Sequence, residues 1–227
     1  MKKNLSLIAF CVLLTSHANA ALQELWLDGV SFKGGWYDIN KTWNGDGKLC
    51  WAAAASNIIN WWQDRYVLPP GTPTGSAVWS TFKNSFENEG SSPQYAMEWW
   101  LSKTYQPQGD SRYYGYAQNT NASTGGYYQS VFNAAQAAGL VSSYEKSGGY
   151  SEEILNRLNA GYGLTLSIGD TTGGTRHAIT LWGVEYDDVT SQLTKMYVTD
   201  SDDIRGSLNF NPGGIFEMTW LHQGWRQ

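Results

Sequence analysis

The sequence predicts an α+β domain, helices first and antiparallel strands after. Two observations predict it. Apolar residues recur at helical spacing in several segments between residues 50 and 138, and four β-rich runs crowd the last third of the 227-residue chain. No internal repeat or low-complexity tract argues for another architecture. The span 21–227 suits one domain with ample material for a core.

The elements follow in order. Residues 21–35 read as an extended arm and turn, with Leu25, Trp26 and Val30 available to pack. The clearest helix runs from Cys50 to roughly Tyr66. Trp51, Ala55, Ile58 and Trp62 share a face, Ser56, Asn60, Gln63 and Asp64 fall mostly elsewhere, and Pro69-Pro70-Gly71 ends it. Val78, Trp79, Phe82 and Phe86 have helical spacing. Ser92-Pro93, a cap followed by proline, opens a helix running to about Lys103. Residues 105–126 read as loop, and a helix follows from Gly126 to Ala138 with Gly139 as its stop. Ser151 is expected to cap a shorter helix with Glu152 and Glu153 in its first turn, ending at Gly161. The predicted strands are Leu164–Ile168, His177–Tyr186, Lys195–Thr199 and Ile215–Trp220, the second and third forming a hairpin.

Residues 1–20 read as a signal peptide. Lys2 and Lys3 form the basic start, Leu5 to Leu14 an apolar stretch too short to span a bilayer, and Ala18-Asn19-Ala20 a cleavage site. The expected product is secreted or periplasmic, and no later run is apolar and long enough for a membrane span. Cleavage near Ala20 removes Lys2 and Lys3, so the mature chain is more acidic than the formal −5 of the whole. That balance argues against nucleic acid as a partner. Aromatics at 15 % suit a protein-binding or sugar-binding surface. A monomer is expected.

Cleavage also removes Cys11 and His17, leaving Cys50, His177 and His222. One cysteine cannot form an internal disulfide, so Cys50 is either a buried small hydrophobe or a free thiol. A polar, Gly-rich loop delivers it to the first turn of an Ala-rich helix, where the helix dipole favours thiolate. His177 opens a strand and Asp200 ends the strand expected to pair with it, so the two can meet at one sheet edge. Cysteine, base and orienting carboxylate are the parts of nucleophilic catalysis. Asp200 and Asp202 read equally as turn carboxylates, and His222 as structural. Lys41, nine residues before Cys50, is either solvated surface or a group that lines an oxyanion hole and depresses the thiol pKa. One cysteine and two distant histidines offer no metal-ligand spacing, so neither metal nor cofactor is expected.

Three motifs carry a resemblance. They are Gly35-Trp36-Tyr37-Asp38-Ile39-Asn40-Lys41-Thr42-Trp43-Asn44-Gly45 with Leu49-Cys50, His177-Ala178-Ile179-Thr180-Leu181-Trp182-Gly183, and Tyr197-Val198-Thr199-Asp200-Ser201-Asp202. In this order they resemble the immunoglobulin-degrading cysteine proteases of the IdeS/Mac type. The resemblance implies a papain-like fold, with a central helix carrying the nucleophile packed against an antiparallel sheet carrying histidine and aspartate. It implies Cys50 as nucleophile, His177 as base, Asp200 as orienting carboxylate, Asp202 as a second supporting acid and Lys41 as an oxyanion-hole contributor. Trp51 departs from the pattern, standing where the family has a small residue, and its bulk is expected to reshape the cleft. The function expected is a secreted cysteine endopeptidase acting through a thioester on a protein substrate, immunoglobulin among the candidates. The alternatives are a transglutaminase or peptidoglycan amidase on the same triad, or a module that binds a surface protein without turnover.

Overall fold

In the computed structural model, residues 21–103, 117–145, 149–169, 176–202 and 215–221 are described. They form, in order, β1 (Leu22–Trp26), α1 (Cys50–Gln63), α2 (Ser76–Ser85), α3 (Pro93–Ser102), α4 (Ala134–Leu140), β2 (Val141–Glu145), α5 (Tyr150–Asn159), β3 (Gly163–Gly169), β4 (Arg176–Asp187), β5 (Leu193–Thr199) and β6 (Ile215–Leu221). The fold is mixed α+β around one antiparallel sheet.

β4 is the spine of that sheet. β5 pairs along one of its edges from Thr180 to Tyr186. The other edge is shared end to end, β3 taking Arg176 to Leu181 and β1 taking Gly183 to Asp187. β6 and then β2 continue the sheet beyond β3. The predicted strands are present, each a residue or two longer, and β4 and β5 are the antiparallel pair expected.

α1 lies between this sheet and the helices α2 and α3, and that position corrects the expectation of an amphipathic helix. Every residue from Trp51 to Gln63 is buried. A helix covered on all sides cannot leave its polar side chains to water, so each finds a partner inside. Ser56 Oγ donates to Ala52 O, Asn60 Nδ2 to Gly75 O and Gln63 Nε2 to Pro73 O, while Gln63 Oε1 accepts from Trp100 Nε1. The run Ala52–Ala55 keeps the helix slim. Gly163 lets β3 approach it, since a Cβ there would lie 2.8 Å from Ile58 Cγ2. Trp51 turns into the core rather than the cleft: it packs edge-on against Phe82 and Phe86 and donates from Nε1 to Glu89 O.

Two other expectations fail locally. The segment from Gly126 is not yet helix, because the N–H groups of Gly126, Tyr127 and Tyr128 donate to the carbonyls of Trp99, Trp100 and Leu101 at the end of α3. α4 instead starts at a capping box between Asn133 and Gln136, runs through Gly139 and passes directly into β2, a strand the sequence pattern did not suggest. α5 begins two residues earlier than expected, at Tyr150, with Gly149 in the left-handed region as its cap and Ser151 inside the first turn. By contrast, α3 has the cap read from sequence, Ser92 Oγ accepting from Gln94 N ahead of Pro93. Residues 105–116, most of the expected long loop, lie outside the described residues, as do residues 1–20, expected to be a signal peptide, and His222. Among the described residues no helix is long and apolar enough to cross a membrane.

One side chain ties these layers together. Asn57, 2 % exposed on α1, accepts from Ile39 N and donates to Thr180 Oγ1 on β4 and Thr199 Oγ1 on β5. Thr199 Oγ1 in turn donates to Tyr37 O, and Trp182 Nε1 donates to it. Replacing Asn57 by Leu strands several buried polar groups at once. Urea denaturation should then show a loss of about 2–3 kcal/mol; a loss under about 0.5 kcal/mol, the level of an ordinary surface substitution, would show that the hub is dispensable.

Candidate active site

Cys50 is the first residue of α1. Its N-cap, Leu49, offers no side-chain acceptor, and the first turn holds no acidic residue, so the positive end of the helix dipole is left uncompensated there. The thiol is free and half-buried. Burial pushes its pKa up, but a hydrogen bond and charge from His177, the Ala178 N–H and the charge of Lys41 outweigh this and hold it below the ordinary thiol value.

His177 is the second residue of β4, and Asp200 follows directly on β5, so antiparallel pairing brings the two together as the sequence suggested. Nε2 of His177 lies 2.5 Å from Asp200 Oδ1. Burial works against the imidazolium. The Asp200 hydrogen bond, then Cys50, overcome it and raise the His177 pKa from 6.5 to about 10. Burial likewise opposes the Asp200 carboxylate, and His177, the Asp202 N–H and Lys41 pull its pKa below the usual range. Asp202 N donates to Asp200 Oδ1 at 2.9 Å, tying the two carboxylates into one turn.

Lys41 completes the group. Its side chain is 2 % exposed, and the segment bearing it is anchored by Lys41 N donating to Ser201 O at 2.9 Å. Nζ donates to Gly47 O at 2.7 Å and pairs with Asp202 Oδ1 at 2.5 Å, while Asp202 Oδ2 stands 3.8 Å from His177 Nδ1. All five residues singled out from sequence thus converge. Their charges alternate in space: lysine, aspartate, histidine, aspartate, with the thiol against the histidine.

The donor atoms of His177, Asp200 and Asp202 lie within 4.8 Å of one another, close enough to hold a metal ion. Here they are already engaged: Asp200 Oδ1 by His177 and the Asp202 amide, and Asp202 Oδ1 by Lys41. Two cations already serve these carboxylates, so the donor set does not fit a further one.

Sequence reasoning missed the braces. Asp46, fully buried four residues before Cys50, accepts from Thr42 N, Thr42 Oγ1 and Lys83 Nζ of α2 through Oδ2, which closes the loop that presents Lys41 and Cys50. An aspartate between two glycines reads as an exposed turn, and only the position of Lys83 on another helix reveals otherwise. Asn57 carried a signal: seven residues after Cys50, it lies on the same face two turns on.

The arrangement sets a thiol of lowered pKa against a histidine that an aspartate holds, and the comparisons bear on the chain's kinship. The model of the Mac 1 family matches residues 28–68 and 102–211, spans that include Lys41, Cys50, His177, Asp200 and Asp202. The chain belongs to the Mac 1 family, to which the three motifs pointed. It is also similar to an IgM protease of Streptococcus suis (strain P1/7), 28 % identical over 229 residues. That alignment takes in 80 % of this chain but 19 % of the relative, so the chain spans about a fifth of that protein's length.

Two outcomes test these electrostatics. A raised histidine pKa means that the folded state holds the proton more tightly. His177 therefore adds stability that is complete below about pH 6.5 and lost as pH rises toward about 10. In Asp200→Asn the His177 midpoint, followed by NMR titration of the imidazole, should fall well below that of the wild type; an unchanged midpoint would remove Asp200 as the cause. For Asp46 the sign is opposite. Burial resists its charge, but Lys83 and Thr42 prevail and its pKa lies below 3.8, so its contribution is present above about pH 4 and lost as pH falls further. Asp46→Asn should lower stability at pH 7 by about 2 kcal/mol, and the gap from wild type should close below pH 4.

Proposed function

We infer that the chain is a cysteine endopeptidase of papain-like arrangement that cleaves immunoglobulin. The observation that carries this reading is the Cys50–His177–Asp200 geometry: a thiol at a helix N-terminus, hydrogen-bonded to an imidazole whose far nitrogen is held by a buried carboxylate. Membership of the Mac 1 family and likeness to an IgM protease support the substrate class.

The chemistry follows from the charges. Mutual stabilisation of thiolate and imidazolium lets Cys50 Sγ attack a peptide carbonyl carbon without waiting for a base to remove its proton. The carbonyl oxygen gains the negative charge, beside the Cys50 N–H and the positive end of α1. Lys41 adds positive potential there. Two of its protons serve Gly47 and Asp202, so it acts more by charge and by holding the loop than as a free donor. As the tetrahedral adduct collapses, the C–N bond breaks, the His177 proton passes to the leaving amine, and a thioester remains on Cys50. Neutral His177 then takes a proton from water, whose oxygen attacks the thioester carbon. Loss of thiolate releases the new carboxyl terminus and restores the ion pair. Asp200 keeps the ring oriented throughout, with Nε2 engaged and Nδ1 turned to the chemistry.

The test is incubation of residues 21–227 with intact immunoglobulin G and immunoglobulin M under mild reductant, with fragments read by mass spectrometry. Discrete fragments with new peptide termini are expected, and none with Cys50→Ala or iodoacetamide-treated protein. Fragments persisting in Cys50→Ala would overturn the mechanism. Intact immunoglobulins beside a Cys50 that is still rapidly alkylated near neutral pH would overturn the substrate and leave the thiol chemistry standing.

A further inference from the structure

Trp43 is the part of the site loop that the reaction above leaves unused. Its indole is 63 % exposed, whereas Trp51, Trp61, Trp62, Trp99, Trp100 and Trp182 are buried. Its backbone sits at φ 61, in the left-handed region where a side chain crowds the backbone. Asn44 and Gly45, the next two residues, would accept that conformation more cheaply. The indole is nonetheless held. One face lies over Lys41 Nζ, 4.4 Å from the ring centroid. Its six-membered ring lies so near Gly47 that a Cβ there would be 3.4 Å from Cε3. The ring is therefore seated on the two residues joined by the Lys41–Gly47 hydrogen bond, with the rest of its surface open to solvent.

The loop does not need Trp43 to close. Asp46 already gathers Thr42 and Lys83, and Leu49 N donates to Asp46 O. An apolar ring kept exposed on strained backbone, beside a lysine two contacts from the catalytic imidazole, carries a cost that its contact with Lys41 and Gly47 offsets on one face only. A rigid aromatic surface of this kind gains when a partner's apolar group covers it.

We propose that Trp43 is a specificity-determining residue, the lip of the cleft against which an apolar side chain of the bound peptide packs while its scissile carbonyl lies at Cys50. This rests on the cysteine-peptidase reading and does not depend on which protein is cleaved.

The test uses Cys50 as its own reporter. Mature wild type, Trp43→Ala and Trp43→Phe are alkylated with iodoacetamide and with two peptidyl chloromethyl ketones, acetyl-Leu-Leu-Ala and acetyl-Ser-Ser-Ala. Iodoacetamide reads the thiolate alone; the ratio of the two ketones reads recognition of apolar side chains. Wild type should favour the Leu reagent. Trp43→Ala should lose that preference by on the order of 10-fold while reacting with iodoacetamide as wild type does, and Trp43→Phe should keep most of it. An equal Leu-to-Ser ratio in wild type and Trp43→Ala would overturn the proposal. So would equal slowing of all three reagents, which would mark Trp43 as a brace of the loop. A wild-type Cys50 inert to iodoacetamide near neutral pH would instead overturn the peptidase reading itself, and the proposal with it.

Discussion

The carboxamide of Asn57 is the interaction on which the site depends. It is the one side chain on α1 that bonds to the loop bearing Lys41, to β4 bearing His177 and to β5 leading into Asp200. The loop and α1 come from a part of the chain distant from the β4–β5 hairpin, and local sequence does not position one against the other. In a buried setting an amide has few ways to satisfy its donors and acceptor, so its bonds define a single register of helix on sheet. Slim alanines on α1 and the bare backbone of Gly163 allow the approach that those bonds require.

The second constraint is electrostatic. Two cations, Lys41 and His177, are interleaved with the carboxylates of Asp200 and Asp202 and the thiol of Cys50, with Lys41 and Asp200 buried and Asp202 open to solvent. Any one of these charges buried alone would be costly; alternation makes each the counter-ion of its neighbour. The His177–Cys50 contact lowers the thiol pKa and adds to the rise that Asp200 brings about in the imidazole. Reactivity and cohesion of the site therefore have one cause. The Asp46–Lys83 pair repeats the device one layer out, fastening the loop that leads to Cys50 to α2.

Much of the fold was legible because it depends on local chemistry. Proline after serine marks the start of α3, β-branched and aromatic runs mark β3, β4 and β5, and a hydrophobic period marks α1 and α2. The failures share a reason. The turns before α4 were misread because the N–H groups of residues 126–128 bond to carbonyls of α3, and β2 because it pairs with the distant β6, choices between local and distant partners that no window of sequence displays. The polar face assigned to α1 was misread because periodicity reports which residues are apolar, not how many sides of a helix will be covered.

The chemical inventory could be read from residue order alone: a thiol at the start of a helix, a histidine at the start of a strand, a carboxylate at the end of that strand's partner, and a lysine on the approach loop. Strand pairing is a regular operation, so the meeting of His177 and Asp200 could be anticipated from their places on β4 and β5. Where charge and bulk finally lie depends on packing across the chain. It sends Trp51 into the core, spends Lys41 on Gly47 and Asp202, buries Asp46 against a helix 37 residues away in sequence, and leaves Trp43 in the open. Those outcomes turn on which groups lose water and which find a partner across space, and that competition is settled only when the whole chain has packed.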